Sequence, residues 1–145
     1  MFELGTDGPS LIVAAVDGSE TAMRAAAYAA GLARRQNASL AYVFVHSTGT
    51  FANAVPGAVS AVQGANRETA DQLRELVESN AVRLGVAATF HERHGNPFTE
   101  IVALADELRA DAVIVGASMQ SGHRVAGSLA LHLVRAARWP VTVVP

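Results

Sequence analysis

Cysteine and lysine are both absent from the chain. Without cysteine there is no disulfide, no thiol nucleophile and no cysteine-ligated metal. Without lysine there is no Gly-Lys-Ser/Thr phosphate loop, which needs an ammonium group on the phosphates. All eleven basic residues are arginine, a usage we read as compositional bias and not as an anion surface. Charge of either sign is sparse: 17% of residues are charged and the net charge is −2. No basic cluster stands out, so nucleic acid is not an expected partner. No apolar run approaches the ~20 residues that span a bilayer, so no membrane partner is expected either. Met1 to Ser10 is polar, carries Glu3 and Asp7, and lacks the basic start and apolar stretch of a signal peptide. The expected location is the cytoplasm.

What is present is largely apolar. Half of the 145 residues are hydrophobic but only 6% are aromatic, which suits alanine-rich helices packed closely on a sheet. The length fits one domain, residues 1–145, with a single core. Leu11 to Val16 is a continuous apolar run, as in a strand covered on both faces. Ser19 then offers an N-cap and Glu20 a first-turn acid. Ala22, Ala25, Ala26, Ala29 and Ala33 follow at helical spacing. Leu40 to Val45 is a second strand. Ser47 to Ala65 contains Gly49, Pro56, Gly57 and Gly64 and reads as a long mobile loop. A second helix is predicted from about Arg67 to Leu84, with Leu73, Val77, Ala81 and Leu84 on one face. Val86, Ala88 and Phe90 then alternate with more polar residues as a half-exposed strand.

Asn96-Pro97 is a helix start, Asn as cap and Pro at the first helical position. Ala112 to Val115 is a short buried strand that stops at Gly116, and Gly127-Ser128 opens an amphipathic segment running through Arg138. Pro140 leads into a last strand, Val141 to Val144. Strands alternating with helical crossovers require a parallel sheet with helices on both faces, a Rossmann-like doubly wound α/β fold of five strands. The third strand is the least apolar and belongs at an edge; the first and fourth belong in the middle. The order 3-2-1-4-5 satisfies both. Ligands bind such sheets where the chain direction reverses, here between strands one and four. The loops that meet there are Asp17-Gly18-Ser19 and Gly116 to Ser128, and a helix opening beside a glycine loop suits an anion.

In this order and spacing, several short motifs resemble the universal stress protein family. They are Val16-Asp17-Gly18-Ser19, Gly95-Asn96-Pro97, Ala110 to Gly116, and Gly127-Ser128 followed by Pro140 to Val144. The resemblance implies a small, usually dimeric cytoplasmic protein linked to stress, growth arrest or dormancy. Many members bind ATP through a loop of the form Gly-x2-Gly-x9-Gly-Ser/Thr. Here Gly116 matches the first glycine and Gly127-Ser128 the last pair, but Met119 holds the second glycine position and the loop is two residues short. By that alignment Asp17 contacts ribose, Ala15 and Val45 flank adenine, and Gly116, Gly127 and Ser128 contact ribose or phosphates. Arg124, inside the loop, is the candidate phosphate donor that compensates for the lost glycine. Each residue also has a plainer role: Asp17 as cap of the Gly18-Ser19 turn, Val45 as core, Ser128 as N-cap.

Other chemistries find less support. His46, His91, His94, His123 and His132 are scattered, and His91 and His94 fall on opposite faces of a strand, so no metal is expected. Ser118, Ser121 and His123 lack a nucleophile elbow and an orienting acid, which argues against a hydrolase triad. No Gly-x-Gly-x-x-Gly follows the first strand. The last strand, Val141 to Val144, is an unguarded apolar edge, and a two-fold dimer through it is expected, as the resemblance also implies. Trp139 beside it is a core plug or an interface anchor. The leading reading is a non-enzymatic regulatory module with an adenine-nucleotide (ATP) crevice, read by an unidentified protein partner. A dimerisation module with an empty crevice and a slow ATP hydrolase using Asp17 are the rivals.

Overall fold

A computed structural model describes residues 8–47, 57–120 and 123–145, with the backbone alone at Val59, Met119, Gln120, His123 and Arg124. The elements run β1 (Leu11–Ala15), α1 (Glu20–Gln36), β2 (Ser39–His46), α2 (Ala58–Leu84), β3 (Ala88–His94), α3 (Pro97–Leu108) and β4 (Ala112–Gly116). A short hairpin, β5 (Ser118–Gln120) and β6 (His123–Val125), precedes α4 (Ser128–Ala136) and β7 (Val141–Val144). The main sheet is parallel, in the order β3-β2-β1-β4-β7. This is the predicted 3-2-1-4-5 arrangement, with β3 and β7 at the edges.

Side chains alternate across the sheet and feed two cores. Ile12, Ala14 and Val16 join Leu40, Tyr42 and Phe44 beneath α1 and α2. Val13, Ala41, Val43, Val113 and Val115 join Ile101, Leu104 and Leu133 beneath α3 and α4. The alanines of α1 are what let it sit close: Ala25, Ala29 and Ala30 are fully buried. Among the described residues Tyr42 is the largest fully buried side chain, and its hydroxyl has no hydrogen-bond partner there. Burial pushes its pKa up to about 12. Trp139 is half-buried against the α3–α4 core, with the Arg138 guanidinium 6.0 Å from its ring centre.

The caps follow the sequence logic at two helices. Ser19 caps α1 by accepting from Ala22 N, and Asn96 caps α3 by accepting from Thr99 N, with Pro97 at the first turn. Asp111 ties the start of the sheet together, accepting from Ser10 N at 2.8 Å, Ser10 Oγ at 2.6 Å and Leu11 N at 3.0 Å. Burial opposes ionisation of that carboxyl, but these hydrogen bonds prevail and hold it below the usual carboxylate range.

Four expectations need correction. The long loop ends at Gly57, and residues 58–65 are the first turns of α2. Most of the described side chains there are exposed, and Gly57 and Gly64 read as loop signals that hid the helical spacing of Ala58, Val62 and Ala65; residues 48–56 lie outside the described residues. The third strand starts at Ala88 and extends to His94, leaving Val86 buried in the connection. The stretch from Gly116 to Ser128 is not a simple loop, because it holds the β5–β6 hairpin. Finally, the cap of α4 is Gly127 with no side-chain hydrogen bond, Ser128 is the first helical residue, and the helix ends at Ala136 and not Arg138.

The two sheet edges differ sharply. β3 carries His91, Glu92, Arg93 and His94 in its second half, whereas β7 is Val-Thr-Val-Val, half-buried throughout.

Candidate functional site

The chain turns twice at the carboxyl ends of β1 and β4, and a crevice of about 520 Å³ opens between the turns. Its volume lies within the ~300–1,000 Å³ typical of small-molecule sites. The apolar floor comes from three strands and two helices: Ala15, Val43, Val45, Val115, Ile101 and Leu129. The rim is polar, with Asp17, Ser19, Glu20, Thr21, Ser118 and Ser128.

Each turn has a physical reason for its residues. Gly18 adopts φ +86, a left-handed conformation in which a side chain is strained. The Asp17 carboxylate accepts from Ser19 N at 2.9 Å and so closes the turn that starts α1. On the other side, Gly116 lies against the first turn of α1. A Cβ there would stand 2.4 Å from Thr21 C and 2.5 Å from Ala22 N. Thr21, only 3% exposed, donates its hydroxyl proton to the Ala117 carbonyl and stitches the two turns together. Gly127 is likewise filled by its own chain, since a Cβ there would lie 1.9 Å from Ser118 Oγ.

Of the residues singled out in the sequence, Ala15, Asp17, Val45, Gly116 and Ser128 all line this crevice. Gly127 stands behind it, in contact with Ser118. The Arg124 side chain lies outside the described residues; its backbone pairs with Met119 in the hairpin. Sequence reasoning missed Val43, Pro97, Ile101 and Leu129. Pro97 was visible as a helix start, but nothing local signals that α3 delivers that start to the crevice.

A second group of polar residues sits at the carboxyl ends of β2 and β3, on the α1–α2 side. Glu92 accepts from Arg74 Nη2 at 2.7 Å and meets Arg67 Nη2 and His46 Nε2, both at 2.9 Å. Its side chain is 17% exposed and that of His46 only 8%. Burial alone would raise the Glu92 pKa, but the hydrogen bonds from His46 and Arg74 and the Arg67 charge outweigh it and bring the carboxyl down to about 2. His94 stacks on His46 at 4.4 Å, and Arg74 lies 4.7 Å above the Phe90 ring. His91 instead pairs with Thr89 Oγ1. Among the described residues no group of three His, Asp or Glu is arranged to hold a metal ion. No described helix is long and apolar enough to cross a membrane.

Comparison with known proteins agrees with this architecture. A universal stress protein of Methanocaldococcus jannaschii is 26% identical over 136 residues, 92% of this chain and 80% of that protein. The crystal structure of a universal stress protein family member from Burkholderia pseudomallei superposes with a TM-score of 0.78 at 27% identity, covering 97% of this chain and 98% of the other. The universal stress protein of Archaeoglobus fulgidus in complex with dAMP shares the fold with a TM-score of 0.65 at 24% identity, covering 97% of this chain and all of that one. The model of the universal stress protein family matches residues 10–145. With that match spanning the whole sheet and its crossovers, the chain belongs to the universal stress protein family.

Proposed function

We propose that the protein is a cytoplasmic regulatory module that binds an adenine nucleotide in the crevice between the turns after β1 and β4. The observation that carries this reading is the crevice itself: about 520 Å³ over an apolar floor, with a carboxylate, Asp17, at its rim. Such a floor suits a purine, and an exposed carboxylate suits the two hydroxyls of a ribose. Family members of the same fold are known in complexes with dAMP, cAMP and AMP. On this reading Ala15 and Val45 flank the base, Asp17 holds the ribose, and Ser128 lies towards the phosphates.

Calorimetric titration of the purified protein with AMP and with magnesium ATP tests it, beside an Asp17→Ala variant. Binding is expected in the wild type and about tenfold weaker binding in the variant, the cost of one charge-assisted hydrogen bond. Equal affinity in both proteins would remove the ribose assignment. No phosphate release is expected, because the role proposed is occupancy and not turnover. Gly127→Ala is unsuited to this purpose, since its methyl group would strike Ser118 before it met any ligand.

The same reading includes assembly. β7 is an apolar edge whose outer N–H and C=O groups have no neighbouring strand among the described residues, and a second copy of the chain supplies one by antiparallel pairing. Light scattering at micromolar concentration is expected to give twice the 15.1 kDa chain mass. A single-chain mass under those conditions would rule this dimer out.

A further inference from the structure

We infer that the groove between α1 and α2 is a docking surface for a basic amphipathic segment of a partner protein. The inference names the chemistry of the partner that the regulatory reading above calls for. Its geometry does not depend on which ligand the crevice takes. Shape, charge and position carry it.

The groove encloses about 400 Å³ and opens beside the turn after β1. Met23 of α1 and Leu73 and Leu76 of α2 give it apolar walls, and Asp17, Thr69 and Gln72 add polar groups. Leu73 is buried, but Leu76 is 54% exposed. A leucine left in water on the wall of a groove offers a seat for an apolar side chain of a docked helix.

Charge selects the partner. Between residues 67 and 78, α2 carries two bases, Arg67 and Arg74, and four acids, Glu68, Asp71, Glu75 and Glu78. Both arginines turn to the flank of the helix that faces β3, where they pair with Glu92 at 2.9 and 2.7 Å. Asp71 and Glu78 lie against the same two guanidinium groups, at 3.5 and 3.6 Å. Glu68 and Glu75 are exposed, and neither forms an ion pair with a described residue. They stand two helical turns apart, ~10 Å along one stripe of α2. Gln72, in the groove wall, falls between them at neighbouring helical positions. With Asp17, three carboxylates therefore border the groove. A segment that sets lysine or arginine two turns apart beside an apolar side chain complements it in both charge and shape.

Position ties the groove to the crevice. Asp17 lines both. A Cβ on Gly18, in the same turn, would stand 3.3 Å from Thr69 Cγ2 in the groove wall. A cation drawn to Asp17 from the groove side thus competes with a ligand hydroxyl on the crevice side.

The test is fluorescence anisotropy at low salt with a labelled helical peptide of leucine, alanine and lysine, beside the same peptide with glutamate in place of lysine. The lysine peptide is expected to bind and the glutamate peptide is not. The double substitution Glu68→Gln with Glu75→Gln is expected to weaken binding about tenfold, and Leu76→Ser about fivefold. Glu107→Gln removes a carboxylate from α3, on the opposite face of the sheet, and is expected to change nothing. All four side chains are exposed, so these substitutions leave the fold intact. No binding, binding that the groove variants leave unchanged, or an equal loss in Glu107→Gln would each overturn the docking surface. Saturating adenosine is expected to weaken peptide binding about threefold through the shared Asp17. Unchanged peptide affinity with adenosine bound would remove the link to the crevice and leave the docking surface standing. Failure of adenosine to bind would remove the adenine reading and, with it, that link.

Discussion

Replacing Gly116 with alanine is expected to lower the stability of the fold by about 3 kcal/mol, the upper range for overpacking a tight contact. The added methyl group would meet backbone, not a movable side chain: Thr21 C at 2.4 Å, Ala22 N at 2.5 Å and Thr21 O at 2.6 Å. Relief requires α1 to lift from β4, and that movement breaks the buried hydrogen bond from Thr21 to Ala117. The measurement is the urea unfolding midpoint of the variant against wild type, with the slope m unchanged. Gly64→Ala serves as the contrasting substitution. Gly64 sits inside α2 with nothing within 4 Å of a built Cβ, so alanine there is expected to add roughly 0.5–1 kcal/mol through helix propensity alone. An unchanged midpoint for Gly116→Ala would show that the glycine is not needed for packing.

Removing the charge of Glu92 should produce the other large effect, and one that depends on pH. The carboxyl titrates at about 2 in the fold against an ordinary value of 4.5. A depressed folded pKa means that the native state holds the ionised form more firmly than the unfolded chain does. Its contribution is therefore complete above about pH 5 and is lost as pH falls from there towards 2. The magnitude is on the order of 3 kcal/mol, set by the size of the shift. Glu92→Gln should therefore be less stable than wild type at pH 7, with the gap closing steadily as the solution is acidified. Urea, which carries no charge, is the appropriate denaturant because it leaves the ion pairs unscreened. A gap of constant size from pH 7 to pH 3 would mean that the variant loses packing and not charge pairing.

These two residues also show how differently the sequence signals fold and site. The sheet order was legible because burial differs from strand to strand: β1 and β4 are uninterrupted apolar runs, whereas β3 carries His, Glu and Arg. The starts of α1 and α3 were legible because Ser19 and Asn96 have caps that act over three residues. The first turns of α2 were not, since Gly57 and Gly64 read there as loop signals and masked the helical spacing of Ala58, Val62 and Ala65. Gly116 was visible as a glycine after a strand, but its reason was not: the neighbour that forbids a side chain is the first turn of α1, nearly a hundred positions earlier. The Glu92 cluster joins β2, α2 and β3 and carries no spacing rule at all. In the crevice, Asp17 was found because its turn follows a strand at the topological switch, and Ala15 and Val45 through the family resemblance, while Ile101 and Leu129 arrive from helices that only the assembled sheet brings over the slot.

The contrast between the two sheet edges bears on how far this sheet can grow. An edge strand is a template for another strand, and a sheet with two equivalent open edges can add chains without end. Here the β7 side is apolar, but the β3 side presents imidazole, carboxylate and guanidinium groups that resist a dry, close-packed neighbour. Once the β7 edge is covered, the exposed ends of any such assembly are both of the charged kind. If chains pair through β7, extension of the sheet would therefore end at two chains, with the polar third strand as the stop that keeps a valine-rich edge from seeding a fibre.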